Sequence, residues 1–141
     1  MQALPIFKQR HEELLGEVTL LRSLITKEQL ANKATASLAH QKLCQLVVKM
    51  KAHLAEEDRG IYPELLTHSD PKLKTIAWNF IGGQQPLNKI FNDFTKKLNH
   101  CQYEFNDELI KETQEIMHLL CKRIESERDV LFPQLEASGV A

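Results

Sequence analysis

The sequence predicts an all-α protein built as an up-down-up-down antiparallel four-helix bundle. Apolar residues recur along most of its 141 residues at alternating steps of three and four, the spacing of one buried helix face. No stretch alternates between apolar and polar residues for long enough to indicate a β-strand. Glycine and proline are few and cluster where the helical pattern stops. They divide the chain into four long segments with short connections, as in an antiparallel bundle.

The helix boundaries follow from these clusters and from residues that favour helix starts. The helices are predicted over about residues 5–27, from the Thr35–Ser37 region to Leu66, from Ser69 or Asp70 to near His100, and from Asn106 to near Pro133. Pro71 belongs to the first turn of the third helix, where proline is tolerated. Residues 82–86, GGQQP, interrupt the third helix, so we expect a kink or a short break there.

Each predicted inner face carries a polar interruption. These residues are His11 on the first helix, His53 and Glu57 on the second, Gln84 on the third and Glu127 on the fourth. With antiparallel neighbours and a rise of ~1.5 Å per residue, they fall within one broad layer of the bundle. Buried polar groups must be satisfied, so we expect these side chains to meet one another or to hold something between them.

A block of fourteen residues occurs twice and locates this layer in the chain. The copies are residues 53–66, HLAEEDRGIYPELL, and residues 123–136, RIESERDVLFPQLE. Their alignment places Glu57 on Glu127 and predicts that each block is a helix end that stops near its proline. His53 precedes Glu57 by four residues, which puts both side chains on one helix face. Arg123 stands where the second histidine would be, so one copy of a duplicated helical hairpin has an altered polar site.

The chemistry of the layer has two interpretations. Imidazole and carboxylate suit iron, zinc or manganese, and bundles place such ligands on facing helices, which makes His11, His53, Glu57 and Glu127 candidate metal ligands. The alternative is a hydrogen-bonded polar layer in which Arg123 supplies the positive charge that a metal would have supplied. The two interpretations differ in whether the Arg123 side chain points inward or extends to solvent.

Composition excludes several functional classes. The net charge is −1 with neutral histidines, so no overall basic field is present to hold nucleic acid. No apolar run approaches the ~20 residues of a membrane span, and the N-terminus lacks the features of a signal peptide. The cysteines, Cys44, Cys101 and Cys121, are isolated, so a disulfide framework or thiolate zinc site is not expected. We therefore expect a soluble cytoplasmic protein with a single domain over residues 1–141.

Three segments resemble the hemerythrin-like (HHE cation-binding) family. They are RHEELL around His11, HLAEEDRGIYPELL from His53 and ESERDVLFPQL from Glu125. The resemblance covers nearly the whole chain and implies a hemerythrin-like bundle. It also implies that His11, His53, Glu57 and Glu127 match family ligand positions, around a centre that typically holds two iron ions.

The resemblance also implies an incomplete ligand set. Gln84 or Gln85 stands where the third helix of the family supplies a histidine, and Arg123 replaces the histidine of the fourth helix. The segments WNFIGG, ETQEI and RIESE are similar to a divergent bacterial branch of the family.

The sequence therefore predicts a non-enzymatic binding or regulatory protein with a degenerate cation site, which is not a functional di-iron oxygen carrier. The alternative is a metal-binding sensor or storage protein, holding one iron, two irons or zinc through the remaining ligands. An oxidase of the ferritin-like type is disfavoured, because that chemistry needs an open, redox-active metal site. The expected cofactor is none, or iron. The expected partner is an unknown protein or small molecule, with no nucleic acid and no membrane, and a homodimer is compatible with the sequence.

Overall fold

The computed structural model describes residues 4–101 and 103–139, except for the side chain of Ser138, and these residues are almost entirely helical. The α-helices are α1 (Leu4–Leu24), α2 (Lys27–Leu30), α3 (Lys33–Gly60), α4 (Tyr62–Leu66), α5 (Pro71–His100), α6 (Asp107–Ser126) and α7 (Phe132–Ser138). A π-helical turn, Glu127–Leu131, joins α6 to α7. No strand occurs within the described ranges, so the prediction of an all-α bundle is confirmed.

The first two predicted helices are divided differently from the prediction. α1 ends at Leu24 rather than near residue 27, and the short α2 begins after Thr26, whose side chain accepts a hydrogen bond from the backbone N–H of Gln29. α3 then begins after Asn32, whose side chain accepts from the backbone N–H of Thr35 at 3.2 Å. These caps satisfy helix-start donors that otherwise have no partner, and they set the boundaries.

A helix ends near the proline of the first repeated block, as predicted, since α3 ends at Gly60, but the helical segment of the second block continues past Pro133 to Ser138, which corrects the prediction there. Pro63 and Pro133 lie in the first turns of α4 and α7, where the missing N–H of proline would have had no helical partner. The second predicted helix therefore divides at Ile61, and the fourth continues to Ser138 through the π-helical turn. Pro86 lies inside α5, which is helical throughout, so the short break considered there is absent.

The four long helices pack as a ring of neighbours, in which α1 contacts α3, α3 contacts α5, α5 contacts α6, and α6 contacts α1. Residue numbers rise along one member of each pair as they fall along the other. Two contacts in each pair show this order: Glu17–Lys49 and Arg10–Glu56, Lys51–Asn92 and Leu54–Gln84, Lys97–Glu112 and Gln84–Arg123, and Arg22–Cys121 and His11–Glu127. Among the described residues, no helix is long and apolar enough to cross a membrane.

The buried apolar side chains of the described residues form two clusters, and a polar layer lies between them. The smaller cluster is formed by the start of α1, by α4, by the start of α5 and by α7, and the larger one occupies the rest of the core. Along α1 the smaller cluster includes Phe7 and the larger one includes Leu14, with buried His11 between them. The buried polar residues that form this layer are His11, His53, Glu57, Gln84 and Glu127. The fold therefore brings the predicted polar positions to one level of the bundle.

Candidate metal centre

Three buried side chains from different helical segments meet in the polar layer. The Nε2 atoms of His11 on α1 and His53 on α3 lie 3.0 Å apart. Oε1 of Glu127, the first residue of the π-helical turn, lies 3.0 Å from His11 Nε2 and 2.8 Å from His53 Nε2. The ligand atoms of these three residues all lie within 4.8 Å of one another. The structure thus brings together three of the four predicted metal ligands.

Glu57, the fourth predicted ligand, lies one helical turn after His53 and beside this cluster. Its Oε1 is 3.0 Å from His53 Nε2, and its Oε2 accepts a hydrogen bond from the Tyr62 hydroxyl at 3.1 Å. Oε1 is buried and has no hydrogen-bond partner among the described residues. Glu57 therefore turns one unsatisfied oxygen toward the histidines.

His53 Nε2 is the most crowded atom of the centre. His11 Nε2, Glu57 Oε1 and Glu127 Oε1 all lie within 3.0 Å of it. An imidazole nitrogen carries at most one hydrogen, so it can donate a hydrogen bond to only one of these three neighbours. A cation held between the four atoms would instead attract all of them at once.

Burial and neighbouring charges shift the pKa values of the layer. Burial is the largest influence on His53 and opposes its charged form, but the hydrogen bond to Glu127 and the negative charges of Glu57 and Glu127 outweigh it and raise the pKa to about 9. Burial, together with the charge of Glu127, raises the pKa of Glu57 to about 7. Burial also opposes the charge of Glu127, yet hydrogen bonds from His11 and His53 lower its pKa to about 2. Near neutral pH the layer therefore holds a proton on His53 and a negative charge on Glu127.

Aromatic packing orients the two imidazole rings. The ring of His11 stacks on Phe132 with centroids 4.7 Å apart, and the ring of His53 meets Phe7 edge-on at 5.6 Å. The Nδ1 atoms of both histidines are buried and have no hydrogen-bond partner within the described part of the chain. The phenylalanines therefore do the orienting that a hydrogen bond to Nδ1 often does at metal sites.

Arg123 points inward and covers the side of the glutamates that faces away from the histidines. Its side chain is only 9% exposed, and its Nε lies 3.5 Å from Glu127 Oε2, an ion pair too long for a hydrogen bond. Its Nη2 donates to the Tyr62 hydroxyl at 2.8 Å and to the Phe80 carbonyl at 3.2 Å. Of the two directions that the sequence left open for Arg123, the structure therefore has the inward one.

Gln84 hydrogen-bonds to Arg123 and is not part of the cluster formed by His11, His53 and Glu127. Its Oε1 accepts from Arg123 Nη2 at 3.2 Å, and its Nε2 donates to the Leu54 carbonyl at 3.0 Å and to Asp58 Oδ1 at 3.1 Å. Gln85, the other glutamine considered at this position, is exposed.

Three features of the centre escaped the sequence analysis. Tyr62 links Arg123 to Glu57 through its hydroxyl, and the alignment of Tyr62 with Phe132 in the repeated block was the available signal. Gly83 lies against the guanidinium of Arg123, whereas the sequence of Gly82 and Gly83 indicated only a kink or a short break. The π-helical turn, in which Phe132 N–H bonds to the carbonyl of Glu127, has no recognisable signal in the sequence. Such turns are often found at functional sites.

Among the described residues, clefts on either side of α1 border the two histidines. One, of about 250 Å³, lies between α1 and α3 and is lined by His53, Arg10 and Lys49 among others. The other, of about 400 Å³, lies between α1 and the α7 region and is lined by His11 and Phe132. Both clefts therefore lie on the histidine side of the centre.

The donor set fits one first-row metal ion. Metal–nitrogen bonds of about 2.1 Å keep two ligand atoms of one ion within about 4.2 Å of each other. His11 Nε2, His53 Nε2 and Glu127 Oε1 lie 2.8 to 3.0 Å from one another, within that limit. The two imidazoles and the Glu127 carboxylate are a combination that suits iron, zinc or manganese, and the unsatisfied Oε1 of Glu57 lies beside them.

The comparisons with known proteins agree with this centre. The family model of the hemerythrin HHE cation binding domain matches residues 2–135. Searches of curated proteins and of solved structures give no match to the chain. Because the matching region spans nearly all of the 141 residues, the chain belongs to the hemerythrin HHE cation-binding domain family.

Proposed function

We propose that this protein binds a single first-row transition-metal ion, as a sensor or store and not as an enzyme. The ligands are His11, His53, Glu57 and Glu127. When bound, the ion supplies positive charge at the point where two imidazole nitrogens and two carboxylate oxygens converge. Iron is the first candidate, since members of this family usually bind iron, and zinc and manganese suit the same donors.

One observation carries this proposal. His53 Nε2 has three close polar neighbours but at most one hydrogen to share, and Glu57 Oε1 remains without a hydrogen bond in a buried position. Buried polar groups in folded proteins are normally satisfied. A metal ion bound between these atoms satisfies all of them, whereas a proton satisfies only one pair.

A second candidate function is a regulatory module that binds no metal. The observation in its favour is Arg123, whose buried guanidinium gives Glu127 a positive partner at 3.5 Å without any metal ion. In this case the polar layer serves the fold, and the protein acts through a surface that recognises a protein or small-molecule partner.

Metal content separates the two candidates. The protein is purified without a histidine tag and dialysed anaerobically against Fe(II), and separately against Zn(II) and Mn(II), before elemental analysis. We expect one ion per chain in the natural protein and none in His53→Gln. His118→Gln, which changes an exposed histidine, serves as the matched control and should retain the ion. A folded natural protein that retains none of the three metals would support the regulatory module instead.

A further inference from the structure

Each glutamate of the centre uses its two oxygens on opposite sides. Glu127 directs Oε1 to the two histidines and Oε2 toward Arg123 Nε. Glu57 directs Oε1 toward His53 and Oε2 to the Tyr62 hydroxyl, which in turn accepts a hydrogen bond from Arg123. The two carboxylates therefore stand between a histidine side and an arginine side.

The guanidinium is fixed on the arginine side by groups from α4 and α5. Phe80 accepts from both Nη atoms at 3.2 Å through its carbonyl, and its ring lies 4.8 Å from the guanidinium carbon. Gln84 accepts a further hydrogen bond, and Tyr62 accepts the shortest one, at 2.8 Å. Arginine stays protonated in proteins, so this charge cannot be removed by loss of a proton.

Gly83 provides the space that this arrangement requires. A Cβ atom at Gly83 would lie 3.0 Å from Arg123 Nη1, closer than ordinary van der Waals contact. A Cβ atom at neighbouring Gly82 would meet nothing within 4 Å. The need for glycine at residue 83 therefore arises from the arginine.

We infer that Arg123 is a built-in cation that limits the centre to one metal ion and holds both glutamates with Oε1 toward the histidines. Two adjacent carboxylates can accept a cation on each side, and the guanidinium occupies one of these sides. A metal ion placed beside it would be repelled by a like charge in a buried position, where electrostatic interactions are strong. This inference rests on the proposed function for the identity of the ion on the histidine side. It adds Arg123 as the residue that sets the number of ions.

The number of metal ions per chain tests this inference. Natural protein, Arg123→His, Arg123→Lys and Lys122→His are saturated with Fe(II) or Zn(II) under matched conditions, and circular dichroism confirms their folding. We expect one ion in the natural protein, two in Arg123→His and one in Arg123→Lys, which keeps the charge. Lys122→His adds a histidine and removes a positive charge at the adjacent exposed position, so it should bind one ion.

The outcomes distinguish this inference from the proposed function. One ion in both the natural protein and a folded Arg123→His overturns the inference and leaves the proposed function intact. No ion in the natural protein but one in Arg123→His overturns the proposed function and supports Arg123 as the group that excludes a cation. No ion in either protein, or two in the natural protein, overturns the inference.

A second variant keeps the test decisive if Arg123→His does not fold. Tyr62→Phe removes the hydroxyl that connects Arg123 to Glu57 while keeping every charge. We expect it to bind one ion with roughly tenfold lower affinity, the usual scale for losing a group that orients a metal ligand. Tyr103→Phe changes an exposed tyrosine and should bind as the natural protein does. Unchanged affinity in Tyr62→Phe would overturn the orienting role of the arginine side.

Discussion

The Nε2 atoms of His11 and His53 lie 3.0 Å apart, although the two rings belong to different helices. A nitrogen that carries a hydrogen cannot ligate a metal ion, because a metal-bound imidazole nitrogen has none. A proton and a metal ion are therefore alternative occupants of the same position. The measurable properties of the metal-free and metal-bound protein should differ accordingly.

The metal-free protein is expected to lose stability as pH rises. The pKa of His53 is raised from 6.5 to about 9 in the folded state, so its protonation stabilises the fold fully below pH ~6.5, and this contribution is lost as pH passes ~9. A shift of this size corresponds to roughly 3 kcal/mol. The pKa of Glu57 is raised from 4.5 to about 7, so the free energy of unfolding also falls as pH rises between these two values.

Urea unfolding of chelator-treated protein across this pH range measures the trend. His53→Gln should lose most of it above neutral pH, whereas His118→Gln should retain it. An equal free energy of unfolding at both ends of the range would contradict the expected protonation of His53.

Removal of the metal ion is expected to lower the melting temperature. A ligand that binds only the folded state adds ~2.7 kcal/mol when its free concentration is about a hundred times its dissociation constant. Thermal unfolding with added zinc, and again with excess chelator, should show this difference in the natural protein. Glu125→Gln changes an exposed glutamate and should show the same difference in melting temperature as the natural protein. Glu127→Gln should show little change in melting temperature when metal is added or removed. A melting temperature that never depends on metal would exclude a folded-state metal site.

The two adjacent glycines of α5 should respond oppositely to alanine. Gly82→Ala is expected to stabilise the protein by ~0.5–1 kcal/mol, because alanine favours the helix and the new methyl group meets no atom. Gly83→Ala places its methyl group 3.0 Å from Arg123 Nη1, so overpacking should make it ~1–3 kcal/mol less stable than Gly82→Ala. Chemical denaturation of both variants gives the comparison. Equal stability would show that the guanidinium moves aside without cost.

Loss of Arg123 should be costly in the metal-free protein. Above pH ~9, where His53 has lost its proton, Arg123→Met leaves the fully buried Glu127 without its guanidinium partner, so we expect destabilisation of ~3–5 kcal/mol. Lys122→Met, at the neighbouring exposed position, should change stability far less. If both variants unfold at the same denaturant concentration, the Arg123 ion pair does not contribute to the fold.

The sequence predicted the polar layer because helical periodicity determines which side chains face the core. His11, His53, Glu57 and Glu127 each lie on an apolar stripe, and all four are buried. Whether they bind a metal ion stays a prediction. The direction of Arg123 could not be predicted, because it depends on acceptors that Phe80 and Gln84 provide from another helix.

The helix end predicted near Pro133 was wrong for a related reason. Proline is compatible both with the end of one helix and with the first turn of the next, and local sequence does not separate these cases. The π-helical turn adds one residue to the helical turn after Glu127 and so changes which side chains face the core. Packing of Leu131 and Phe132 in the smaller apolar cluster stabilises this turn.

The separation of the core into two apolar clusters has a consequence for metal exchange. The smaller cluster includes Phe7 and Phe132, which hold the imidazole rings of His53 and His11. A group of residues with its own small apolar cluster can open locally while the larger core stays folded. Fraying of this end of the bundle would release the ring contacts without global unfolding. The dissociation rate of a bound ion should therefore follow amide hydrogen exchange in α4 and α7, and not the global unfolding rate.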